Sequence, residues 1–146
     1  MIIIVDTNIV FSGILNPEGD ISDILLNSGD IFQFYSPGFL LEELEKHHQK
    51  LLQISGYSET DLNFLKISLL KKIEFINPEF IQQSNWVKAA ALAKDVDAYD
   101  IPFIALGLQL NAPLWTGDKK LMQGLQRKGY NSILNTKLLE EIRDKK

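Results

Sequence analysis

Four β-branched residues in succession, Ile2 to Val5, run into an aspartate in the opening M-I-I-I-V-D. A strand with one wet face alternates apolar and polar residues, whereas an unbroken apolar run reads as a strand covered on both faces, as in a parallel sheet between two helical layers. Parallel neighbours need long crossovers, so helices should separate the strands along the chain. Asp6 then stands at the carboxyl end of the first strand, where open parallel α/β sheets place their ligands. A plain turn aspartate is the structural alternative.

The remaining patterns alternate as required. Ser12 to Asp20, with Gly13, Asn16-Pro17 and Gly19, reads as a loop before a short helix from about Ile21 to Ser28, which Gly29 ends. Ile31 to Tyr35 is expected as the second strand, and Ser36-Pro37 as the cap and first residue of a helix with Leu40, Leu44, His47 and Leu51 on its apolar stripe. Ser58 and Asp61 resemble a capping box opening a helix to Lys72, and Ile73 to Ile76 forms a third strand closed by Asn77-Pro78. Trp86 to Lys94 is helical. Ile101 to Leu110 is apolar almost all round and should be packed on several sides, with Pro102 in its first turn, Gly107 at a close approach and Asn111 as a left-handed cap. Leu114-Trp115 gives a short strand, Lys119 to Arg127 a helix stopped by Gly129, Tyr130 to Leu134 a last short strand and Lys137 to Arg143 a terminal helix. The expected fold is one α/β domain over residues 1–146, a three-layer α/β/α sandwich with a central parallel sheet.

Four carboxylates from distant parts of the chain fall at element ends or buried edges near the carboxyl side of that sheet: Asp6, Glu43, Asp100 and Asp118. Among the glutamates of the second helix, Glu43 lies about 70 degrees from the centre of the apolar stripe, while Glu42 and Glu45 point to the solvated face. Asp100 and Asp118 each also have a plain reading as helix N-caps, and Asp95 and Asp97 as a solvated acidic loop. Two unit charges 4 Å apart repel by about 4 kcal/mol at an effective dielectric of 20, so a cluster of four carboxylates is unfavourable unless it is protonated or holds a cation. An all-oxygen site favours Mg²⁺ or Mn²⁺. Two such ions activate water and stabilise both the attacking and leaving oxygens of a phosphodiester. His47 and His48 diverge on a helix and are expected in structural or surface roles.

Composition narrows the partners. A net charge of -4 argues against a general nucleic-acid binder working through an overall positive field. The absence of cysteine excludes a disulfide framework and a thiolate metal site. No window approaches a membrane span, and the first residues lack the pattern of a secretory signal, so a cytoplasmic protein with no membrane contact is expected.

V-D-T-N at 5 to 8, S-P-x-x-L-x-x-E-L ending at Glu43-Leu44, D-I-P-F-I-A-L-G-L from Asp100 and W-T-G-D at 115 to 118 resemble, in order and spacing, the successive motifs of PIN-domain ribonucleases. PIN domains of this size are mostly toxins of the VapC type. The resemblance therefore implies Mg²⁺- or Mn²⁺-dependent cleavage of RNA, a cognate antitoxin protein and frequently a homodimer. It carries the family's acidic quartet onto Asp6, Glu43, Asp100 and Asp118 as catalytic metal ligands. Thr7 and Asn8 match its D-T-N, with Asn8 orienting Asp6, and Thr116 falls where the family often has a hydroxyl near the metal. Asp97 matches an acid that varies within the family. Lys119 and Lys120, beside Asp118, are candidate RNA contacts in a chain with only two arginines.

Asp6-Thr7-Asn8-Ile9-Val10 also approaches the nucleophile motif of haloacid-dehalogenase-like phosphatases, but Asn8 stands where the general acid would be needed. A receiver-type signalling module fails at its acceptor, since the third strand ends in Ile76-Asn77-Pro78. The nearer rival is a PIN-like module that binds RNA or protein without cutting.

Overall fold

The computed structural model describes residues 1–145. Its five strands, β1 (Ile2–Val5), β2 (Gln33–Pro37), β3 (Ile73–Ile76), β4 (Leu114–Trp115) and β5 (Ile133–Leu134), form one parallel sheet in the order β3-β2-β1-β4-β5. β1 is central, with Ile4 opposite both Tyr35 of β2 and Leu114 of β4. Ile3, Ile4 and Val5 have no exposed surface, as a strand covered on both faces requires.

The helices fall into two packed groups around the sheet. On one side α1 (Thr7–Leu15) packs on α2 (Asp20–Asn27) and α5 (Glu59–Leu70), and α2 also meets α9 (Thr136–Asp144). On the other, α7 (Ile101–Leu110) lies against β1, β2 and β4 beneath α6 (Gln83–Ala93), which also touches α8 (Lys119–Arg127). This is an α/β/α sandwich. Trp115 is fully buried, stacks at a tilt on Phe34 with ring centroids 5.8 Å apart, and donates its indole N–H to Thr136 Oγ1 at 3.1 Å.

Several expectations hold in detail. Asn111 ends α7 in the left-handed region at φ 52°. A Cβ on Gly107 would stand 3.0 Å from the Ala112 carbonyl, so the glycine marks a close approach of the helix to its own exit. Ser58 accepts the Asp61 amide at 3.1 Å.

Three expectations fail. Residues 12 to 20 are not all loop: α1 starts directly at Thr7, with Gly13 buried against Leu69 and Ser22. Ser36-Pro37 does not open a helix but ends β2, pairing with Phe75 and Ile76 of β3. The expected second helix, with Leu40, Leu44, His47 and Leu51 on one stripe, is two, α3 (Phe39–Lys46) and α4 (His48–Ser55), broken at His47 with φ -100° and ψ 12°. His48 takes the structural role expected of it: its Nε2 meets Glu59 at 2.8 Å and its Nδ1 meets Lys66 Nζ at 2.5 Å, tying α4 to α5.

The Ser36 hydroxyl, fully buried, donates to the Val5 carbonyl at 2.9 Å and so ties the end of β2 to the end of β1. Ser36→Ala should cost about 1 kcal/mol of stability. Urea unfolding should show a lower midpoint at unchanged slope, and an unshifted midpoint would show that this bond does not fix the end of β1.

Candidate active site

The reversal of strand order between β1 and β4 creates a crevice outside the carboxyl ends of the strands. Asp6 leaves β1 there, and Thr116 leaves β4 beside it. Asp6 caps α1, Asp100 stands at the cap position of α7 and Asp118 caps α8, so three helix N-termini face this region. Each brings a partial positive charge and free amides, which favour carboxylates there.

A cleft of about 310 Å³ opens at this point, walled by Asp6, Thr7, Asn8, Glu43, Asp97 and Asp100 and floored by Phe11 and Phe103. Lys46, His47 and Tyr99 complete its rim, with His47 edge-on to Phe11. Asp118 lines an adjoining hollow with Gly117, and Asn8 borders both spaces. The structure thus brings Asp6, Glu43 and Asp100 to one cleft and sets Asp118 next door across Asn8.

Each acid is held differently. Asp6 is 3% exposed, and its Oδ1 accepts the Ile9 amide at 3.0 Å. Burial above all, and then the Asp118 charge, push its carboxyl up to about 6, against the Thr116 hydroxyl and the Ile9 and Asn8 amides. Glu43 is gripped by Thr7, whose buried hydroxyl donates to Oε1 at 2.7 Å. Asp118 Oδ1 accepts the Leu121 amide at 3.1 Å, while its own N–H donates to Thr116 Oγ1 at 3.1 Å. Asp100 makes no side-chain cap bond. Burial, followed by the charges of Asp6, Asp97, Asp118 and Glu43, raises its carboxyl to about 7. All four acids of the quartet therefore share one electrostatic environment.

Sequence reasoning missed the Thr7–Glu43 bond, because Thr7 lies 36 residues from its partner and only the fold joins them. It also missed Lys46, the lysine that lines the cleft, in favour of Lys119 and Lys120, which are exposed at the start of α8 and line none of it. Helical spacing held the signal, since Lys46 is three residues beyond Glu43 on the same face. Asp97 reaches the cleft wall, where its Oδ1 accepts the Tyr99 amide at 3.0 Å. Asp95 turns away and pairs with Lys128.

Oxygen donors under mutual repulsion suit a hard divalent cation. Among the described residues, however, no three acid or imidazole side chains already close around one point. The donor chemistry fits a cation, and the spacing leaves the carboxylates apart.

A parallel α/β/α fold with a carboxylate cleft at the switch point between β1 and β4 defines the class of protein. The family model described as PIN domain matches residues 4–140, so the chain belongs to the PIN-domain family. Among solved structures, a chain in the crystal structure of VapBC2 from Rickettsia felis, bound to a DNA fragment from their promoter, is similar with a TM-score of 0.67. That likeness covers 92% of this chain and 98% of that one at 16% sequence identity, and is a likeness of fold. A comparison with curated proteins gives no match.

The crowded acids have a measurable consequence. Asp6 and Asp100 bind protons more tightly folded than unfolded, so the stability their protonation contributes is present at and below the ordinary value of 3.8 and is lost as pH rises through about 6 and 7. Thermal unfolding in EDTA should show Asp100→Asn more stable than the parent at about pH 8, with the difference shrinking toward about pH 5. Parallel profiles for the two proteins would contradict the crowding.

Proposed function

We propose that this chain is a Mg²⁺- or Mn²⁺-dependent endoribonuclease of the VapC type, the toxin of a toxin–antitoxin pair. The observation that carries the proposal is the cleft at the carboxyl end of the sheet, which brings Asp6, Glu43 and Asp100 together with Asp118 in the adjoining hollow. Membership of the PIN-domain family supports RNA as the substrate class. The fold likeness to a VapBC2 chain supports a cognate antitoxin as partner, and the setting proposed with it is cytoplasmic. A homodimer is the expected assembly. Among the described residues no helix is long and apolar enough to cross a membrane.

Asp6, Glu43, Asp100 and Asp118 would hold the cation or pair of cations. When bound, such ions supply an activated water and a counter-charge for the attacking and leaving oxygens of an in-line displacement. The chain's own residues prepare the place. Asp6 and Asp118 each spend one Oδ1 lone pair on a helix-capping amide, which locks the carboxylate's orientation. Thr7 fixes Glu43 from the first turn of α1. Asp100 is free of capping, and burial together with the surrounding acids raises its carboxyl to about 7.

A catalytically silent PIN-like module that binds RNA or protein is the second reading, favoured by the absence of a preformed three-ligand cluster among the described residues. Cleavage of a mixed cellular RNA pool by purified protein, with Mn²⁺ or Mg²⁺ and with EDTA, separates the two. Asp6→Asn and Asp118→Asn keep an amide oxygen for the cap and remove the charge, so both should fold as the parent does and lose cleavage. Unchanged cleavage by both variants would refute the site. Cation at a hundredfold excess over its dissociation constant should stabilise the parent by about 2.7 kcal/mol. Absence of both cleavage and metal stabilisation would establish the silent module.

Thr7→Val keeps the shape of the side chain and removes the donor to Glu43. Titration with Mn²⁺ should show roughly 10- to 100-fold weaker metal affinity, as for other outer-shell partners, with Thr7→Ser close to the parent. Equal affinity in Thr7→Val would free Glu43 from this requirement.

A further inference from the structure

Beside the acidic cleft runs a second, more apolar groove of about 300 Å³, walled by Phe39, Glu42, Ala98, Tyr99 and Pro102. Glu43, Lys46 and Tyr99 border both spaces, so the groove continues the cleft. On α3, Phe39, Glu43 and Lys46 follow at i, i+4 and i+7 and share one face. Phe39 and Glu43 are therefore about 6 Å apart along the helix axis. Opposite them Tyr99 precedes Asp100 directly, on a turn that Asp97 fixes by accepting the Tyr99 amide. Tyr99 is 73% exposed and Phe39 36% exposed, so both rings offer open surface to the groove.

On α3 the Phe39 ring thus stands one turn before the cleft carboxylate Glu43, and across the groove Tyr99 is the chain neighbour of Asp100. Lys46 adds a cation at the junction. We propose that this groove takes an unpaired nucleobase of the RNA substrate, stacked against Tyr99 and Phe39, while the neighbouring phosphate lies at Glu43 and Asp100 and is met by Lys46. This proposal rests on the nuclease reading for the phosphate and adds the place of the base. A groove near 300 Å³ is at the small end for ligand pockets, suiting one flat ring rather than a folded peptide segment. A base can enter only when it is out of its duplex, and aromatic stacking accepts every base through its π-face. In a chain with net charge -4, stacking supplies attraction that the overall field does not.

The test uses the full chain carrying Asp118→Asn, with Mg²⁺ and a fluorescein-labelled mixed-sequence single-stranded RNA 12-mer, free or annealed to its complement. Anisotropy should show the single strand bound roughly tenfold or more tightly than the duplex, and Tyr99→Ala should remove roughly tenfold or more of that affinity. Tyr99→Phe should restore what Tyr99→Ala loses. In the parent, Tyr99→Ala should raise KM for the 12-mer more than it lowers kcat, with Mg²⁺ stabilisation unmoved. Equal binding of single strand and duplex, or full affinity in Tyr99→Ala, would overturn the proposal while leaving metal-dependent cleavage standing. Tyr99-dependent binding without any cleavage would sustain the base site and sink the nuclease. Dimerisation that Tyr99→Ala abolishes, with RNA binding intact, would assign the groove to a second copy and overturn the proposal.

Discussion

A carboxylate with 3% of its surface exposed, at the end of a strand buried on both faces, is the constraint to which the rest of the structure answers. Taking a carboxylate out of water costs several kcal/mol unless hydrogen bonds or opposite charge replace the solvent. Asp6 finds the amide of Ile9, which is free to cap it only because α1 begins immediately after β1. Thr116, brought alongside because β4 lies beside β1 and ends level with it, offsets part of the rise in its pKa. Even so, its carboxyl remains well above the ordinary range, so the compensation is incomplete. The residual repulsion among Asp6, Asp100 and Asp118 is a standing demand for positive charge at this point.

Capping and ligation, which read as rivals in the sequence, are compatible in the fold. A capping aspartate accepts one backbone amide and keeps its other lone pairs. Asp6 and Asp118 cap, and Asp100, at the corresponding position of α7, does not. The difference lies in backbone conformation. Asp6 and Asp118 are extended, with ψ of 166° and 102°, and fold their side chains back over the first turn, whereas Asp100 is already helical at ψ -9° after the turn begun by Asp97. Its carboxylate is left to the cleft and takes the largest share of the crowding.

What was legible in the sequence follows from which forces act locally. β1, β3, β4, α7 and α8 were placed almost to the residue because continuous apolar runs and caps such as Asn111 and Asp118 report burial and chain ends directly. α1 was obscured by Gly13, which looks like a loop residue but serves close packing with Leu69 and Ser22. Ser36-Pro37 carries the local signature of a helix start, and sheet pairing with Phe75 and Ile76 overrode it. The four acids were legible because each stands at an element end or on a calculable helix face. Thr7's grip on Glu43, the Lys46 position and the Tyr99 rim were not, since each depends on how α3 sits against α1 and the turn before Asp100.

An acidic protein proposed to cut a polyanion poses an electrostatic problem that the geometry itself resolves. Net charge of -4 gives RNA no long-range attraction, and the two arginines are spent or remote: Arg143 pairs with Asp23, and Arg127 lies in the last turn of α8. Attraction must then be short-ranged. At the cleft it has three sources: three helix N-termini, the single ammonium of Lys46, and whatever cation the carboxylates recruit. The carboxylates that repel a phosphate when empty become the means of holding one when neutralised, so substrate and cation should bind with positive coupling. Each would lessen the cost of the other, because a phosphate next to the cation completes an oxygen shell that four constrained side chains leave open. Discrimination then falls to the surfaces beside the cleft, where the apolar groove between Phe39 and Tyr99 is the feature that favours a flat ring over a second charge.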